Sequence, residues 1–183
     1  PDRHVLFDVD RPADYAELRA RWRTRDVPTP AECAVIMTTI HPTPLALRGH
    51  GDEVARVADA LARALEEAGE ALDSGLLQAA ALLHDLAKGH PGHARTGAAW
   101  LRDMGFDAVA ALVADHGDRE PAPDGGLSPA DLLYLADKCV IGQRRVDPEE
   151  RFDAAQARFG GDPQAGRQIQ RRRLAARTIR RRL

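Results

Sequence analysis

The sequence predicts an all-α protein: a helical bundle with a short N-terminal strand and helix as an appendage. Of the 183 residues, 44% are hydrophobic but only 4% are aromatic, and alanine and leucine are used heavily. This composition favours packed helices over sheets. At four positions we interpret a hydroxyl or acidic residue directly before a proline as the signal for a capped helix start. These capping residues are Thr29, Ser128, Asp147 and Asp162.

The N-terminal region differs from the rest of the chain. Residues 4–8 (HVLFD) form a β-like run, and a helix is predicted over 12–22 with Pro12 in its first turn. A single strand is not stable alone. We therefore interpret residues 1–28 as an appendage, or the remnant of a preceding domain plus its linker, and residues 29–183 as the main domain.

In the main domain, apolar periodicity and capping signals predict eight helices. The helix predicted over 44–68 would break, if anywhere, at Gly49 and Gly51. Residues 117–127 (GDREPAPDGGL) are predicted to form a loop. The helices are predicted at 30–40, 44–68, 74–88, 92–103, 107–116, 129–141, 148–159 and 163–182.

The last predicted helix is basic, with eight arginines between Arg167 and Arg182. Ile169, Ala176 and Ile179 fall on one of its faces. This pattern favours an amphipathic helix with a solvated arginine face over an anion-binding site.

Bulk properties exclude several classes of protein. The net charge of −2 disfavours a general nucleic-acid binder. No apolar run reaches membrane-spanning length, and the N-terminus lacks a signal-peptide pattern, so a cytoplasmic protein without membrane or nucleic-acid partners is expected. Cys33 and Cys139 lie far apart in apolar surroundings and are interpreted as small buried hydrophobic residues.

Histidines and aspartates recur along the middle of the chain, each within or at the end of an apolar helical run. One histidine on an apolar helix is usually a hydrogen-bonded core residue. In LLQAAALLHDLAKG, however, burying a carboxylate beside an imidazole is costly unless a cation or partner compensates it. Imidazole and carboxylate are ligands for divalent cations. The candidate metal ligands are His50, His84, Asp85, His93, His116 and Asp137.

Lysine usage points to the same residues. The chain contains two lysines, Lys88 in HDLAK and Lys138 in LADK, and arginine occupies all its other basic positions except the histidines. Both lysines lie beside proposed ligands. A compact ammonium at these two points suggests contact with a phosphate, with chance placement as the alternative.

The spacing of the ligands favours two metal ions. Neighbouring helical residues point about 100° apart, so His84 and Asp85 do not easily serve one ion from one helix face. A bridging Asp85 resolves this difficulty. His50, His84 and Asp137 would then complete one ion, and His93 and His116 the other. Two such ions would hold a bridging water or hydroxide and lower its pKa toward neutrality.

The pattern H…HD…H…H…D over about residues 45–145 resembles the HD-domain superfamily of metal-dependent phosphohydrolases, an all-α fold. HDLAKG followed by HARTGA is similar to its two-metal members, including the HD-GYP phosphodiesterases and the HD-type diadenosine tetraphosphate hydrolases. YLADKCV resembles the closing motif of the latter. The GYP signature is absent, which disfavours cyclic di-GMP as substrate. His90 competes with His93 for the second ion, but the HxxxGA spacing favours His93.

A second resemblance concerns LFDVDRPADYAEL, which is similar to the C-terminal end of nucleotidyltransferases of the molybdenum-cofactor type. It implies that a nucleotidyltransferase domain precedes this one in the intact polypeptide.

Together these features predict hydrolysis of a nucleotide or nucleotide-like phosphate ester or anhydride. Two divalent first-row ions are expected, Fe or Mn ahead of Zn, with Co, Ni and Mg as further candidates. The resemblance implies that Asp85 and Lys88 are catalytic and that Lys88 contacts phosphate. Lys138, Arg144 and Arg145 are further candidate phosphate contacts. Two alternatives stay open: a mixed-valent di-iron oxygenase of the same fold, and a non-catalytic regulatory module.

Overall fold

The computed structural model describes residues 10–23, 26–122 and 126–183. Within these ranges the chain forms nine α-helices, one π-helical stretch and one small hairpin, which confirms the all-α prediction. The predicted strand at 4–8 lies outside the described residues. The helices are α1 (Pro12–Arg23), α2 (Pro30–Val35), α3 (Leu45–Glu67), α4 (Ser74–Leu83), α5 (His93–Asp103), α6 (Asp107–Ala114), α7 (Pro129–Lys138), α8 (Pro148–Phe159) and α9 (Pro163–Arg180).

The predicted capping signals do start helices. The Thr29 side chain accepts a hydrogen bond from the backbone N–H of Glu32, whose carboxylate accepts the N–H of Thr29 in return. Ser128 and Asp131 form the same reciprocal pair at the start of α7. Each pair satisfies backbone donors that a helix start otherwise leaves open. The capping aspartates of α8 and α9 are Asp147 and Asp162.

The core lies between α3, α4 and α7, with the α5–α6 pair against α4 and the α8–α9 pair against α7. Helix α3 runs unbroken through Gly49 and Gly51. A Cβ atom at Gly51 would lie 2.8 Å from the carbonyl oxygen of Leu82, so glycine is what permits α3 and α4 to approach so closely. This close approach also brings the preceding residue, His50, beside the C-terminal end of α4.

Three predicted helices end earlier than the periodicity suggests. Helix α2 gives way at Val35 to a π-helical stretch, Ile36–Ile40. Helix α4 ends at Leu83, and tight turns continue the chain to Gly89, whose φ of +101° favours glycine. In these turns hydrogen bonds join residues three apart, such as Lys88 N–H to the Asp85 carbonyl. Periodicity does not distinguish such turns from a further helical turn.

The third early end is that of α7, which stops at Lys138 and is followed by an antiparallel hairpin. Strand β1 (Val140–Ile141) pairs with β2 (Arg144–Arg145). Gly142, with φ of +60°, takes the first central position of the two-residue turn, where glycine is favoured. The helix predicted over 129–141 would end just before Gly142, whereas in the structure Gly142 lies in the hairpin turn.

Two peripheral features bear on the earlier predictions. Helix α1 forms over nearly the predicted span. The arginines of α9 pair with acids of the chain itself: Arg172 with Asp118, and Arg177 with Glu149. In the described ranges no helix has the length and apolar character needed to cross a membrane.

Candidate metal centre

The six predicted ligands converge, although they come from five separate segments. His50 lies in α3 and Asp137 in the last turn of α7. His84 and Asp85 follow the end of α4. There the backbone lies close to the site, and both side chains reach it. His93 is the first residue of α5, and His116 follows the end of α6; they complete the set.

The two carboxylate oxygens of Asp85 face different histidines. Oδ2 lies 3.6 Å from His84 Nε2 and 4.0 Å from His50 Nε2. Oδ1 lies 3.3 Å from His93 Nε2 and 3.6 Å from His116 Nε2. Asp85 therefore belongs to two groups of potential ligands, one with His50 and His84 and one with His93 and His116. This is the geometry that a bridging carboxylate requires.

Asp137 faces only the first group. Its Oδ1 atom lies 3.4 Å from His50 Nε2 and 3.8 Å from His84 Nε2. Metal–ligand bonds of about 2.0–2.2 Å separate the ligand atoms around one cation by roughly 3–4 Å. The observed spacing matches this value without further movement of the side chains.

Backbone carbonyls orient three of the four histidines. In each, Nδ1 lies within 2.7–2.8 Å of a carbonyl oxygen and donates to it, which leaves the lone pair of Nε2 directed into the site. His84 and His116 each follow a helix end and donate to the carbonyl three residues earlier. The same local hydrogen bond therefore orients both rings. The three pairs are His50 with Gly142, His84 with Ala81, and His116 with Val113.

The residues fit a bound cation. The Nε2 atoms of His84 and His93 are buried, and neither has a hydrogen-bond partner. An unpaired buried polar atom costs about 1–3 kcal/mol. A cation between these nitrogens and the Asp85 oxygens would partner both, and imidazole with carboxylate is a suitable donor set for a divalent first-row ion.

The protonation states also suit a metal site. Burial lowers the pKa of His84 to about 4, so this imidazole is neutral near pH 7. Burial alone would raise the pKa of Asp85, but the neighbouring imidazoles of His116 and His84 and the ammonium of Lys88 outweigh burial and lower the pKa. The pKa of Asp137 falls well below its usual range because Lys138, His50 and Arg151 outweigh burial. Neutral imidazole and ionised carboxylate are the ligand forms that bind metal.

Both lysines contact ligand carboxylates. Lys88 Nζ lies 3.1 Å from Oδ2 and 3.2 Å from Oδ1 of Asp85, and its side chain is 46% exposed. Lys138 Nζ lies 2.6 Å from Asp137 Oδ2 and 4.6 Å from the centre of the Tyr134 ring, and its side chain is buried. Lys138 thus holds a carboxylate. Its contact with a substrate stays a prediction, and its side chain is only 7% exposed.

Arg144 and Arg145 lie on the exposed hairpin strand β2. Arg144 pairs with Glu150 at 2.8 Å, and Arg145 pairs with the buried Glu53 of α3. These ion pairs tie the hairpin to α8 and α3, and so help to hold the Gly142 carbonyl against His50. The predicted phosphate contacts of the two arginines stay predictions.

One residue of the site was missed at the sequence level. The Arg151 guanidinium of α8 donates to the carbonyl oxygens of Asp137 and Val140, and it lies 3.4 Å from Asp137 Oδ1. It thus binds one carbonyl in the last turn of α7 and one in strand β1. The only sequence signal is an arginine one turn after the Asp147 cap, and such a signal is common.

The two competing histidines take different positions. His93 Nε2 approaches Asp85, whereas the His90 ring packs edge-on against the Trp100 indole, with the ring centres 5.2 Å apart. The structure therefore places His93 beside Asp85 and His116 in the second ligand group, and metal binding by His93 stays a prediction.

Comparison with known proteins gives two findings. The model of the family described as HD domain matches residues 49–152, which contain all six ligand candidates. An uncharacterized protein of Methanocaldococcus jannaschii is 30% identical over 124 residues, covering 58% of this chain and 73% of that protein. No solved structure matches the chain.

Proposed function

The chain belongs to the HD domain family, and from that premise we propose that it is a metal-dependent phosphohydrolase acting on a nucleotide or nucleotide-like phosphate ester or anhydride. The family includes metal-dependent hydrolases, and the buried His/Asp cluster fits a metal site. The substrate, the number of ions and the roles of single residues belong to the proposal.

The observation that carries the proposal is the division of the Asp85 oxygens between two histidine pairs. His50, His84, Asp85 and Asp137 would hold one cation, and Asp85, His93 and His116 the other. When bound, two such cations would stabilise charge on phosphoryl oxygens and make a water acidic enough to attack phosphorus at neutral pH.

Lys88 supplies the positive charge on the substrate side. Its ammonium lies beside Asp85 and is half exposed, so it can turn toward an incoming phosphate while the carboxylate keeps it close. An ammonium is a compact point charge that binds phosphate oxygens from several directions. We therefore assign Lys88 to the binding of phosphoryl oxygens, whose negative charge it would stabilise in the transition state.

The remaining residues keep the ligands in place. Each carbonyl that accepts an Nδ1–H holds its imidazole in one tautomer and one orientation. Lys138 binds Asp137 Oδ2 and leaves Oδ1 facing His50 and His84. The ligands are thus preorganised, and little rearrangement would be needed during the reaction.

The test is phosphate release by the anaerobically purified, metal-loaded protein. It would be screened against phosphomonoesters, cyclic nucleotides and dinucleoside polyphosphates with Fe²⁺, Mn²⁺ and Zn²⁺. We expect release from at least one class, and loss of release in Asp85→Asn, where one bridging oxygen becomes an amide. Arg158→Ala, an exposed change on α8, serves as the control. Oxygen consumption without phosphate release would refute the proposal in favour of the di-iron oxygenase.

A further inference from the structure

A cleft of about 250 Å³ opens beside the metal centre. Lys88 and Leu86 line it on the side of the centre, and His41, His90 and Trp100 line another part of its wall. His41 and His90 have no role among the proposed metal ligands. Lys88 connects the cleft with the metal centre, because it lines the cleft and also contacts the Asp85 carboxylate.

Two aromatic rings form a flat pair in the cleft wall. The imidazole of His41 and the indole of Trp100 are parallel to within 1°, with ring centres 4.2 Å apart. The His90 ring meets the same indole edge-on at 82°. Three aromatic rings from different segments thus gather at one point.

The His41 segment is held rigidly. The backbone N–H of His41 donates to the Ile36 carbonyl at 2.8 Å and closes the π-helical stretch. The Thr43 hydroxyl donates to the His41 carbonyl at 2.9 Å, and Pro42 and Pro44 restrict the backbone further. π-Helical turns occur frequently at functional sites. The ring of His41 is therefore preorganised, and little conformational entropy would be lost when a ligand packs against it.

The chemistry of the cleft suits one kind of group. Its walls combine aromatic rings and prolines with Leu86 and Ile40, while Lys88 supplies a positive charge at the end nearest the metal centre. The cleft thus combines aromatic and apolar side chains with polar groups that can orient a ligand, a combination found in small-molecule sites. A parallel aromatic pair favours a planar ring, because such rings stack in offset fashion on flat faces.

We propose that this cleft is the subsite for a planar aromatic ring carried by the phosphate substrate, with the ring against the His41–Trp100 pair and the phosphate toward Lys88. This inference rests on the proposed phosphohydrolase function. Binding energy from the non-reacting ring would position the phosphate at the metal centre. A nucleobase and a simple aryl group share this chemistry, and the experiment distinguishes them.

The test is calorimetric binding to the metal-loaded full chain with two matched ligand pairs. Phenylphosphonate and cyclohexylphosphonate differ in the aromaticity of the ring, and the non-hydrolysable phosphonate analogues of AMP and of ribose 5-phosphate differ in the nucleobase. We expect the aromatic member of at least one pair to bind roughly tenfold to a hundredfold more tightly. Preference within the first pair alone identifies an aryl group, and preference within the AMP pair identifies a nucleobase.

The variants assign any preference to the cleft. His41→Ala and Trp100→Leu should both reduce the difference within a pair to about twofold or less. His41→Ala is decisive because Trp100 also packs against the core. Phe159→Ala removes an exposed aromatic ring at the end of α8 and should leave the preference unchanged.

Two results would overturn the subsite: no aromatic preference in the wild type, or full preference in His41→Ala. Phosphate release is measured in parallel. Release without aromatic preference refutes the subsite and leaves the proposed function intact. Aromatic preference that depends on His41, without release from any ester, supports the subsite and refutes the proposed function.

Discussion

The two sides of Asp85 are built differently. On the Asp137 side, His50, His84 and Asp137 have side chains no more than 10% exposed. On the other side, His116 is also buried, but the His93 side chain is 32% exposed, and Lys88, which contacts both Asp85 oxygens, is 46% exposed. We refer to the first as the closed side and to the second as the open side. The closed side can hold an ion firmly, whereas the open side admits a substrate.

The supporting contacts are more numerous on the closed side, although the Val113 carbonyl also orients His116 on the open side. A carbonyl of the β1–β2 turn orients His50, and Lys138 and Arg151 hold Asp137. His93 begins α5, the helix that also carries Trp100 of the aromatic cleft. Rigidity is thus concentrated where a ligand must not move, and exposure where a substrate must enter. The following predictions test this division.

The largest effect is expected from Asp85→Ala, because Asp85 serves both sides. Turnover should fall to background and both ions should be lost, since neither group keeps its shared carboxylate. The helical circular dichroism should be nearly unchanged, because the apolar core holds the bundle together. Metal analysis and phosphate release measure the first two effects. Activity like that of the wild type would refute the site.

The second prediction separates the two sides. His93→Ala or His116→Ala should lower the stoichiometry from about two ions to about one and remove most of the activity, with the closed-side ion retained. His50→Ala, the matched change on the closed side, should instead weaken binding of the closed-side ion. A wild-type protein that binds one ion at saturation, or a His93→Ala protein that still binds two, would contradict the two-ion proposal.

The third prediction concerns the open side alone. Lys88→Ala should lower kcat by about 10²-fold to 10³-fold, the usual cost of losing one preorganised donor, with metal content unchanged. Lys88→Arg should restore little of this rate, because a planar guanidinium does not replace a point charge. Steady-state kinetics and metal analysis on the same samples provide the measurement. An unimpaired rate at equal metal content would reject the phosphate role.

A smaller effect is expected from the support of the closed side. Lys138→Met keeps the buried volume but removes the ammonium that holds Asp137, so affinity for the closed-side ion should fall roughly 10-fold to 100-fold. Competition with a chelator measures this affinity. Arg158→Met, the same change at an exposed position of α8, is the control. If Lys138→Met binds the closed-side ion with unchanged affinity, Lys138 does not support Asp137, and its predicted contact with the phosphate would be favoured instead.

The smallest effect is expected from removing residues 1–26. The described part of this segment lies ahead of α2 and supplies none of the six candidate ligands, so metal content and turnover should be unchanged. The cut keeps Val27, which packs against the core, and the buried Pro28. A shortened protein that fails to fold or loses its metal would show that the segment is integral.

Part of the candidate site was accessible from the sequence because its signals are local. The doublet His84-Asp85 is conspicuous in an apolar run, and the two lysines single out Asp85 and Asp137. The supporting contacts were not accessible in this way. Arg151 reaches Asp137 from fourteen residues away, and His50 is oriented by a carbonyl ninety-two residues away. Nothing in the residues themselves marks such partners.

By itself, the sequence determined the all-α class, the helix starts and the set of ligand candidates. These depend on interactions within a few residues, as in the Thr29–Glu32 pair, or on the cost of burying charged groups. Tertiary structure alone decided where α7 gives way to a hairpin, which oxygen of Asp85 faces which histidines, and that His41 stacks on Trp100. Those features arise from contacts between distant segments, whose geometry exists only once the helices have packed.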